Sequence, residues 1–346
     1  MSPDVSLLVV GYRSTADLPA LTEGFRAEVT RAKVTGEIVV VEHSGESAPP
    51  AGVEVDRWIV QPNHGYAAGI NRAAAEARGR VLLAANPDLR LLPGALSALL
   101  GALADGWHIV GPRFELQGAL FPPAESQLPS AELRRSLAAR GAHPFHRSLS
   151  RRLREAARVW DGREPVPQRF LSGALLAFAP ATFRELGPWD EEYFLYFEET
   201  DWLLRAARRG CRVAQVPAAR VEHRWGGGGG SDAEPEERYA ASRARYYRRS
   251  FGWWGALALR LSREAAPLGV LDGSRATGGR WWLASPSPAG WPAARLALRP
   301  GEEPEAATAR LAAALGRDTT LTLWSWDPAR RTVGEVRGAV GCRGDG

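Results

Sequence analysis

The first candidate for chemistry is the run Asn86-Pro87-Asp88, which directly follows five apolar residues at 81–85. Such an apolar run is typical of a strand buried on both faces of a parallel sheet. Pro87 lacks an amide hydrogen, so the strand must end there, with Asn86 and Asp88 at the edge where open α/β sheets bind ligands. A carboxylate at that edge suits Mg²⁺ or Mn²⁺ on a diphosphate. The alternative is a turn whose side chains only cap the backbone.

A second cluster holds six carboxylates between residues 190 and 201. Glu198, Asp201 and Arg205 have the spacing of residues on one side of a helix, and Glu198 and Glu199 fall at its start, where the helix dipole favours anions. The apolar residues around them predict a partly buried setting. This cluster is therefore the best source of a general base, and a solvated acidic helix start is the alternative.

A histidine near a glycine run is the third candidate. His223 follows a predicted strand at 211–221 and precedes five consecutive glycines at 226–230. This position suits a metal ligand or a phosphate contact, and the glycines could order over a bound diphosphate. A purely structural histidine is the alternative.

Two other stretches carry polar residues at predicted strand or helix ends. Glu42 ends a strand at 37–41, where its carboxylate could accept hydrogen bonds from a nucleotide base or a ribose; a solvated loop glutamate is the alternative. In the run from Asn63 to Asn71, Gly65 permits an unusual backbone angle and Gly69 permits a close approach by a neighbour or a ligand. Asn71 could instead be satisfied in the core.

The apolar pattern predicts the strands and helices that would hold these side chains in position. It predicts strands at 5–12, 37–41, 57–60, 81–85, 107–113, 170–178 and 211–221, with helices at 14–32, 66–78 and 93–107. Ser14 and Asp17 have the spacing of a capping box. The alternation predicts an α/β fold with a doubly wound sheet. Neither the glycine signature of a Rossmann site nor a P-loop sequence occurs.

The amino-acid composition bears on the class of binding partner and on the compartment of the protein. The net charge is +5, but arginines are spread along the chain among carboxylates, which gives nucleic-acid binding little support. The two cysteines lie far apart, as expected in a reducing compartment. The pattern of a signal peptide and an apolar run of ~18 residues are both absent, so we expect a cytoplasmic protein.

Domain boundaries are predicted where the composition changes. Residues 1–231 form the main domain, 232–268 a basic aromatic helical segment, and 280–346 a small α+β module after a glycine-rich linker at 269–279. Arginine and aromatic residues over 238–254 could contact an anionic membrane or pack on the main domain. Residues 117–168, with a basic helical stretch at 131–158, are expected to be a variable cover over the site.

Taken in order, eight short motifs resemble the family 2 glycosyltransferases, and among them the rhamnosyltransferase-like enzymes of bacterial cell surfaces. The motifs are Val9-Val10-Gly11-Tyr12, Val41-Glu42-His43, the run from Asn63 to Asn71, Asn86-Pro87-Asp88, Ser172-Gly173-Ala174, Trp189-Asp190-Glu191, Glu198-Glu199-Thr200-Asp201 and Val221-Glu222-His223. The resemblance implies a GT-A fold with a mixed sheet, a nucleoside-diphosphate sugar donor, a divalent metal ion (Mg²⁺ or Mn²⁺) and inversion at the anomeric carbon. It also implies a glycan or lipid-linked acceptor, which would place the enzyme at the inner face of the membrane.

The resemblance implies roles residue by residue. Glu199 matches the catalytic base, with Glu198 beside it, and Asp190 matches an acceptor-side aspartate. Asp88 and His223 match residues that hold the metal or the diphosphate. The implied donor-binding residues are Tyr12, Arg13, Glu42, Asn63, Gly65, Gly69, Asn71, Asn86 and Asp88. Arg13 stands where the family has Asn, and Glu42-His43 where it has Asp-Asn, which leaves the donor base open.

Three functions remain open at the level of sequence. The first is an inverting glycosyltransferase, favoured because carboxylates for both metal and base are present. The second is a non-catalytic protein of the same fold that binds a nucleotide-sugar or a carbohydrate. The third is a sugar-phosphate nucleotidyltransferase, which the lack of a glycine-rich signature after the first strand disfavours.

Overall fold

The structure is a computed structural model that divides the chain into two compact units. It describes residues 2–138, 142–224, 234–262, 281–286, 292–316, 319–328 and 332–341. Unit 1 comprises Met1–Arg113, Ala124–Gln127 and Gly162–Ala256, and unit 2 comprises Phe114–Pro123, Leu128–Asp161 and Leu257–Gly346. The glycine run at 226–230 and the linker at 269–279 lie outside the described residues.

The strands are β1 (Val5–Gly11), β2 (Gly36–Glu42), β3 (Arg57–Val60), β4 (Val81–Ala85), β5 (Leu89–Leu91), β6 (Ile109–Leu116), β7 (Ala119–Leu120), β8 (Val166–Pro167), β9 (Leu175–Phe178), β10 (Val213–His223), β11 (Trp281–Ser285), β12 (Ala294–Arg295), β13 (Thr320–Asp327) and β14 (Thr332–Gly341). The helices are α1 (Leu18–Ala32), α2 (Tyr66–Glu76), α3 (Ala95–Ala104), α4 (Pro129–Ala138), α5 (Ala142–Trp160), α6 (Pro180–Leu186), α7 (Glu198–Arg208), α8 (Glu234–Arg260) and α9 (Pro304–Leu315). The expected mixed α/β architecture is confirmed.

Unit 1 is built on four parallel strands in the order β3-β2-β1-β4. Strand β1 and all of β2 after its first residue are buried, because their branched apolar side chains face helices on both sides of the sheet. The register pairs Gly11 with Glu42 and Val9 with Ala85. The carboxyl ends of β1, β2 and β4 therefore lie at one edge of the sheet, where the site residues were expected.

Antiparallel strands extend this sheet beyond β4. Strand β9 pairs with β4, and β6 pairs with β9. Strand β10 pairs with β5 in a register that sets His223 opposite Leu89. The last strand of unit 1 is thereby brought back to the corner at residues 86–88.

Helix α8 lies partly against unit 1. Tyr246 and Tyr247 are fully buried, and the Ser242 hydroxyl donates a hydrogen bond to the Leu195 carbonyl over 2.8 Å. The helix is interrupted at Gly252, whose φ is 58°. The residues before Gly252 thus pack on the main domain, which was one of the two alternatives for this segment.

Unit 2 forms an antiparallel sheet, in which β13 pairs with both β11 and β14. Helix α9 packs its apolar residues against this sheet. Helix α5 contributes Leu149, Leu153 and Trp160 to a second apolar cluster with Trp324 and Trp326. Helix α5, which belongs to the stretch 117–168 expected to cover the site, therefore contributes to the core of unit 2. The domain boundaries at 231 and 280 stay predictions.

Several local predictions were wrong. Helix α1 begins at Leu18, and the Ser14 hydroxyl accepts a hydrogen bond from the Tyr12 amide instead of capping the helix. Strand β9 begins at Leu175, so Gly173 lies in the preceding loop. The basic stretch 131–158 is divided between α4 and α5.

In the part of the chain that the structure describes, no helix is both long and apolar enough to cross a bilayer.

Candidate active site

The corner after β4 brings Asp88 and His223 together. The Asn86 amide donates to the Ala174 carbonyl over 2.8 Å, which turns the chain out of the sheet toward β5. Because β5 pairs with β10, the Asp88 Oδ2 and His223 Nε2 atoms lie 3.3 Å apart, and both side chains are buried. His223 is the last residue of β10, not a residue beyond the strand as predicted.

This pair fits a divalent ion. Two ligands at about 2.1 Å from one ion are about 3.0–3.4 Å apart, which matches the spacing of the Asp88 oxygen and the His223 nitrogen. Among the described residues, no group of three or more His, Cys, Asp or Glu side chains could hold a metal. Any ion here would therefore complete its coordination with water and phosphate oxygens, as Mg²⁺ commonly does.

The two glutamates at the start of α7 occupy a constrained position. Tyr196 and Phe197, which precede the helix, have φ values of 68° and 70°, a left-handed conformation that side chains rarely adopt. Helix α8 holds this turn, because the rings of Tyr239 and Tyr246 each lie 5.3 Å from the Phe197 ring. The strained turn thus fixes where Glu198 enters the helix.

Burial raises the pKa values of these two glutamates to different extents. Glu198 is only 4% exposed, and its Oε2 atom has no hydrogen-bond partner among the described residues. Burial, followed by the charge of Glu199, raises the pKa of Glu198 well above its usual value. Burial also raises the pKa of Glu199, but hydrogen bonds from Thr200 and the Gly173 backbone oppose that rise. We therefore assign the first proton of the pair to Glu198 and the carboxylate charge to Glu199.

The absence of a side chain at Gly173 leaves room for Glu199. A Cβ atom on Gly173 would lie 2.8 Å from Glu199 Cγ, closer than real contacts allow. The glycine therefore permits the loop before β9 to reach the carboxylate.

The loop at residues 189–191, which the resemblance assigns to the acceptor side, is held by Asn71. Its Oδ1 accepts from the Trp189 amide over 2.9 Å, and its Nδ2 donates to the Trp189 carbonyl and to Glu191, each over 2.8 Å. Asp190 forms an ion pair with Arg249 of α8. A cavity of about 520 Å³ is bordered by Trp189, Asp190, Glu191 and Arg249. The Asn71 amide does not line it, because its hydrogen bonds are made to the loop.

Three of the residues expected to bind the donor, Tyr12, Arg13 and Glu42, lie at the carboxyl ends of β1 and β2. The Glu42 carboxylate is buried and accepts hydrogen bonds from the Ser44 and Glu46 amides at 2.8 and 2.9 Å. The Ser44 hydroxyl in turn accepts from the Arg13 amide over 2.5 Å. Arg13 has a φ of 51°, and its guanidinium lies 5.1 Å from the Tyr12 ring. Glu42 therefore organises the loop on which Tyr12 and Arg13 depend.

The run from Asn63 to Asn71 is also tightly built. Asn63 Oδ1 accepts from the Gly65 amide over 3.0 Å. Gly65 has a φ of 97°, and a Cβ there would meet the backbone of Phe194. A Cβ on Gly69 would lie 2.6 Å from Val10, so Gly69 serves helix packing on β1.

Sequence reasoning missed Tyr66, which connects the two halves of the site. Burial raises the pKa of its hydroxyl, and the charges of Glu198, Glu199 and Asp88 raise it further. Such an effect requires that all three carboxylates lie near the phenol. The carboxylates of Asp88, Glu198 and Glu199 therefore all belong to the electrostatic environment of one phenol. The only signal in the sequence was the position of Tyr66 directly after Gly65.

Some known proteins have sequences related to that of this chain. No protein-family model matches the chain. The chain is 32% identical over 218 residues to N-acetylglucosaminyl-diphospho-decaprenol L-rhamnosyltransferase of Mycobacterium tuberculosis. The matched region is 56% of this chain and 67% of that relative. It is 25% identical over 239 residues to the low-salt glycan biosynthesis hexosyltransferase Agl10 of Haloferax volcanii, covering 64% of this chain and 68% of the relative. A crystal structure of GalNAc-T7 with UDP, GalNAc and Mn²⁺ aligns at a TM-score of 0.47 and 16% identity, over 73% of this chain and 51% of that one. The first relative is similar enough, over enough of its length, to assign a family.

The proton assignment in the glutamate pair is open to measurement. In protein labelled with ¹³C at glutamate side chains, Glu198 and Glu199 should both titrate above the ordinary value of 4.5, with Glu198 the higher. The reason is that burial penalises the charged form and the second charge is penalised most. NMR spectra of the Glu198→Gln and Glu199→Gln variants would identify the two signals. Titration of both carboxyls near 4.5 would contradict the assignment.

Proposed function

The chain belongs to the family 2 glycosyltransferases, and we propose that it is an inverting enzyme that uses a nucleoside-diphosphate sugar. Of the functions that the sequence left open, the glycosyltransferase is confirmed, and the fold is the mixed α/β fold of the GT-A type. The proposed sugar is a hexose or a deoxyhexose such as rhamnose, after the activities in the names of the relatives. The observation that supports the reaction is the pairing of Asp88 with His223, 3.3 Å apart, at the end of the parallel strands, with Glu199 in the first turn of α7 as a second carboxylate.

Glu199 is the proposed general base. It is the glutamate that keeps its charge, because the Gly173 and Thr200 hydrogen bonds favour its ionised form. In the proposed step, Glu199 accepts the proton of an acceptor hydroxyl while the oxygen bonds to the anomeric carbon. The bond from that carbon to the diphosphate breaks at the same time. One displacement inverts the configuration, and no covalent sugar–enzyme intermediate is needed. Glu198 stays protonated and spares Glu199 an adjacent charge.

Asp88 and His223 are the proposed metal ligands. Bound there, Mg²⁺ or Mn²⁺ would supply positive charge to offset the charge that gathers on the leaving diphosphate. The two side chains are buried and paired 3.3 Å apart, so they are already in position before a donor arrives.

The donor would lie along the carboxyl edge of the parallel strands. We propose that Asn86 and Asp88 face its diphosphate and that Tyr12 and Arg13 face its nucleoside. A further set of residues acts by shaping the loops around it, because the contacts they make in the structure are to other parts of the protein: Asn63, Gly65, Gly69, Asn71 and Glu42. Asp190, beside the 520 Å³ cavity, is proposed to face the acceptor.

The acceptor is proposed to be a glycan or a lipid-linked glycan at a membrane surface. The relative from Mycobacterium tuberculosis carries a decaprenol diphosphate in its name. The contact proposed for 238–254 narrows to the residues after the Gly252 interruption, because Tyr246 and Tyr247 before it are fully buried and the exposed Tyr239 packs against Tyr196 and Phe197. Trp253 is 78% exposed and Trp254 39%, and Arg248 beside them is exposed. Tryptophan and arginine together favour an anionic lipid surface.

The double variant Trp253→Ala/Trp254→Ala tests this surface. It should bind vesicles of anionic phosphatidylglycerol at least about tenfold more weakly than wild type, because the two indoles no longer enter the interface. Cosedimentation measures the binding. Val60→Ala, which removes an apolar side chain that is 46% exposed on β3, is the matched control and should not change it. Equal binding of the double variant and the wild type would rule out this contact.

The reaction itself is tested by a panel of UDP-, TDP- and GDP-sugars. Wild-type protein should release a nucleoside diphosphate from one of them in the presence of acceptor. Glu199→Gln should lower kcat by about 10²–10⁴-fold and leave nucleoside diphosphate binding intact, because only the proton acceptor is lost. Glu185→Gln, at an exposed position on α6, is the control. Binding without turnover by wild type, or release of pyrophosphate, would contradict the proposal.

The metal site is tested by thermal shift. Mn²⁺ with nucleoside diphosphate should stabilise the wild type by about 2.7 kcal/mol at a hundredfold excess over Kd. In Asp88→Asn the stabilisation by Mn²⁺ should largely disappear, because the buried carboxylate ligand is removed. Asp105→Asn, an exposed change after α3, should behave as wild type. An unchanged Mn²⁺ response in Asp88→Asn would exclude this pair as the metal site.

A further inference from the structure

The two proposed metal ligands lie where a short strand pairing ends. Strands β5 and β10 are paired over three residues, and His223 opposite Leu89 is the last of these pairs. Asp88 precedes Leu89 in the chain and so lies just outside the ladder. The end of a ladder opens more readily than its middle. The 3.3 Å spacing of the Asp88 and His223 side chains is therefore set at a place that strand pairing alone holds weakly.

Arg224 supplies a first support for this spacing. It follows His223 directly, and its amide donates a hydrogen bond to the Asp88 carbonyl over 3.3 Å. This hydrogen bond continues the ladder by one residue, up to the corner itself. Arg224 is thus joined to both proposed ligands, to His223 by the peptide bond and to Asp88 by the hydrogen bond.

The side chain of Arg224 is in turn held by Asp17, which is remote in the sequence. The guanidinium forms an ion pair with the Asp17 carboxylate, and the carboxylate is buried while the arginine is half-exposed. A buried charge is costly unless it is paired. Among the described residues, Arg224 is the side chain that pairs with Asp17, so the burial of Asp17 favours keeping this contact.

Helix capping does not account for Asp17. The residue is the N-cap of α1, where an aspartate commonly accepts hydrogen bonds from the amides of the first helical turn. The Asp17 side chain makes no capping hydrogen bond. Its carboxylate is directed to Arg224 instead, which indicates a role outside its own helix.

Helix α1 gives Asp17 a fixed position. Leu18, the first residue of the helix, is buried in the core. Gly24 lets the helix approach β5 closely, because a Cβ atom on Gly24 would lie only 3.3 Å from the Leu91 amide nitrogen. Asp17 is therefore fixed relative to the strand that begins directly after Asp88.

We propose that Asp17 is a positioning residue of the metal site, which acts through its ion pair with Arg224 to keep Asp88 and His223 at metal-binding spacing. This inference rests on the metal site of the proposed function. Removing a group that orients metal ligands in this way weakens metal affinity about 10–100-fold. An ion pair with a half-exposed arginine contributes little to folding stability, because water screens it. The pair therefore matters to metal binding more than to folding.

The Asp17→Asn variant tests the inference, because asparagine removes the charge and is itself a good N-cap residue. Its Kd for Mn²⁺ alone, measured from the electron paramagnetic resonance signal of free Mn²⁺, should be about tenfold weaker than that of wild type. Its unfolding midpoint in denaturant without metal should match wild type. Arg224→Gln should show the same loss of affinity. The double variant should lose no more than either single variant, because the two residues make one contact.

Glu76→Gln is the matched control. It breaks the ion pair between Glu76 and Arg57. Arg57 begins β3 and so lies at the end of the parallel sheet away from the metal corner. This variant should keep the wild-type Kd for Mn²⁺.

Each other result overturns the inference. A wild-type Kd for Mn²⁺ in Asp17→Asn would mean that the ion pair does not position the ligands. Losses that multiply in the double variant would mean that the two residues act separately. An equal loss in Glu76→Gln would indicate a general effect of ion pairs, and a lower unfolding midpoint of Asp17→Asn without metal would indicate a role in folding. A wild type that binds no Mn²⁺ would remove the proposed metal site as well, and that result is distinct because it involves no variant.

Discussion

Two adjacent carboxyl groups at the start of one helix, Glu198 buried and Glu199 half-buried, are the constraint on which the site depends. They cannot both ionise without a large desolvation cost, so the surroundings must select which one keeps its charge. Gly173 and Thr200 make that choice by donating hydrogen bonds to Glu199, while Glu198 has an oxygen with no partner among the described residues. The result is one charged carboxylate at a fixed place, which is what general-base chemistry needs.

The position of this pair is maintained from a distance. Phe197 has a left-handed backbone at the entry to α7, and rings of α8 pack against it. The basic aromatic helix therefore has a structural role in unit 1: it offsets the strain of that turn. The same helix supplies Arg249, which pairs with Asp190 on the acceptor side. One helix outside the central sheet thus supports two parts of the candidate site.

Glycines set the distances within the site. Gly65 lets the Tyr66 amide reach Phe194, Gly173 lets a loop reach Glu199, and Gly69 brings α2 onto β1. In each case a single methyl group would collide with a backbone or a side chain of another segment. Segments far apart in sequence are thereby held at contact distance.

The sequence by itself determined the parallel strands, the helices between them and the polar residues at their ends, because those signals are local runs and periodicities. It also indicated Asp88, His223 and Glu199, through short motifs in a recognisable order. It could not reveal that His223 belongs to β10 and pairs opposite Leu89, since strand register is set by partners more than a hundred residues away. Nor could it show that Glu42 is engaged by its own loop and Asn71 by the loop at Trp189, more than a hundred residues away. Tyr66 stayed hidden for the same reason: what marks it is the burial of one oxygen and the charges around it, and both arise only when the distant segments pack together.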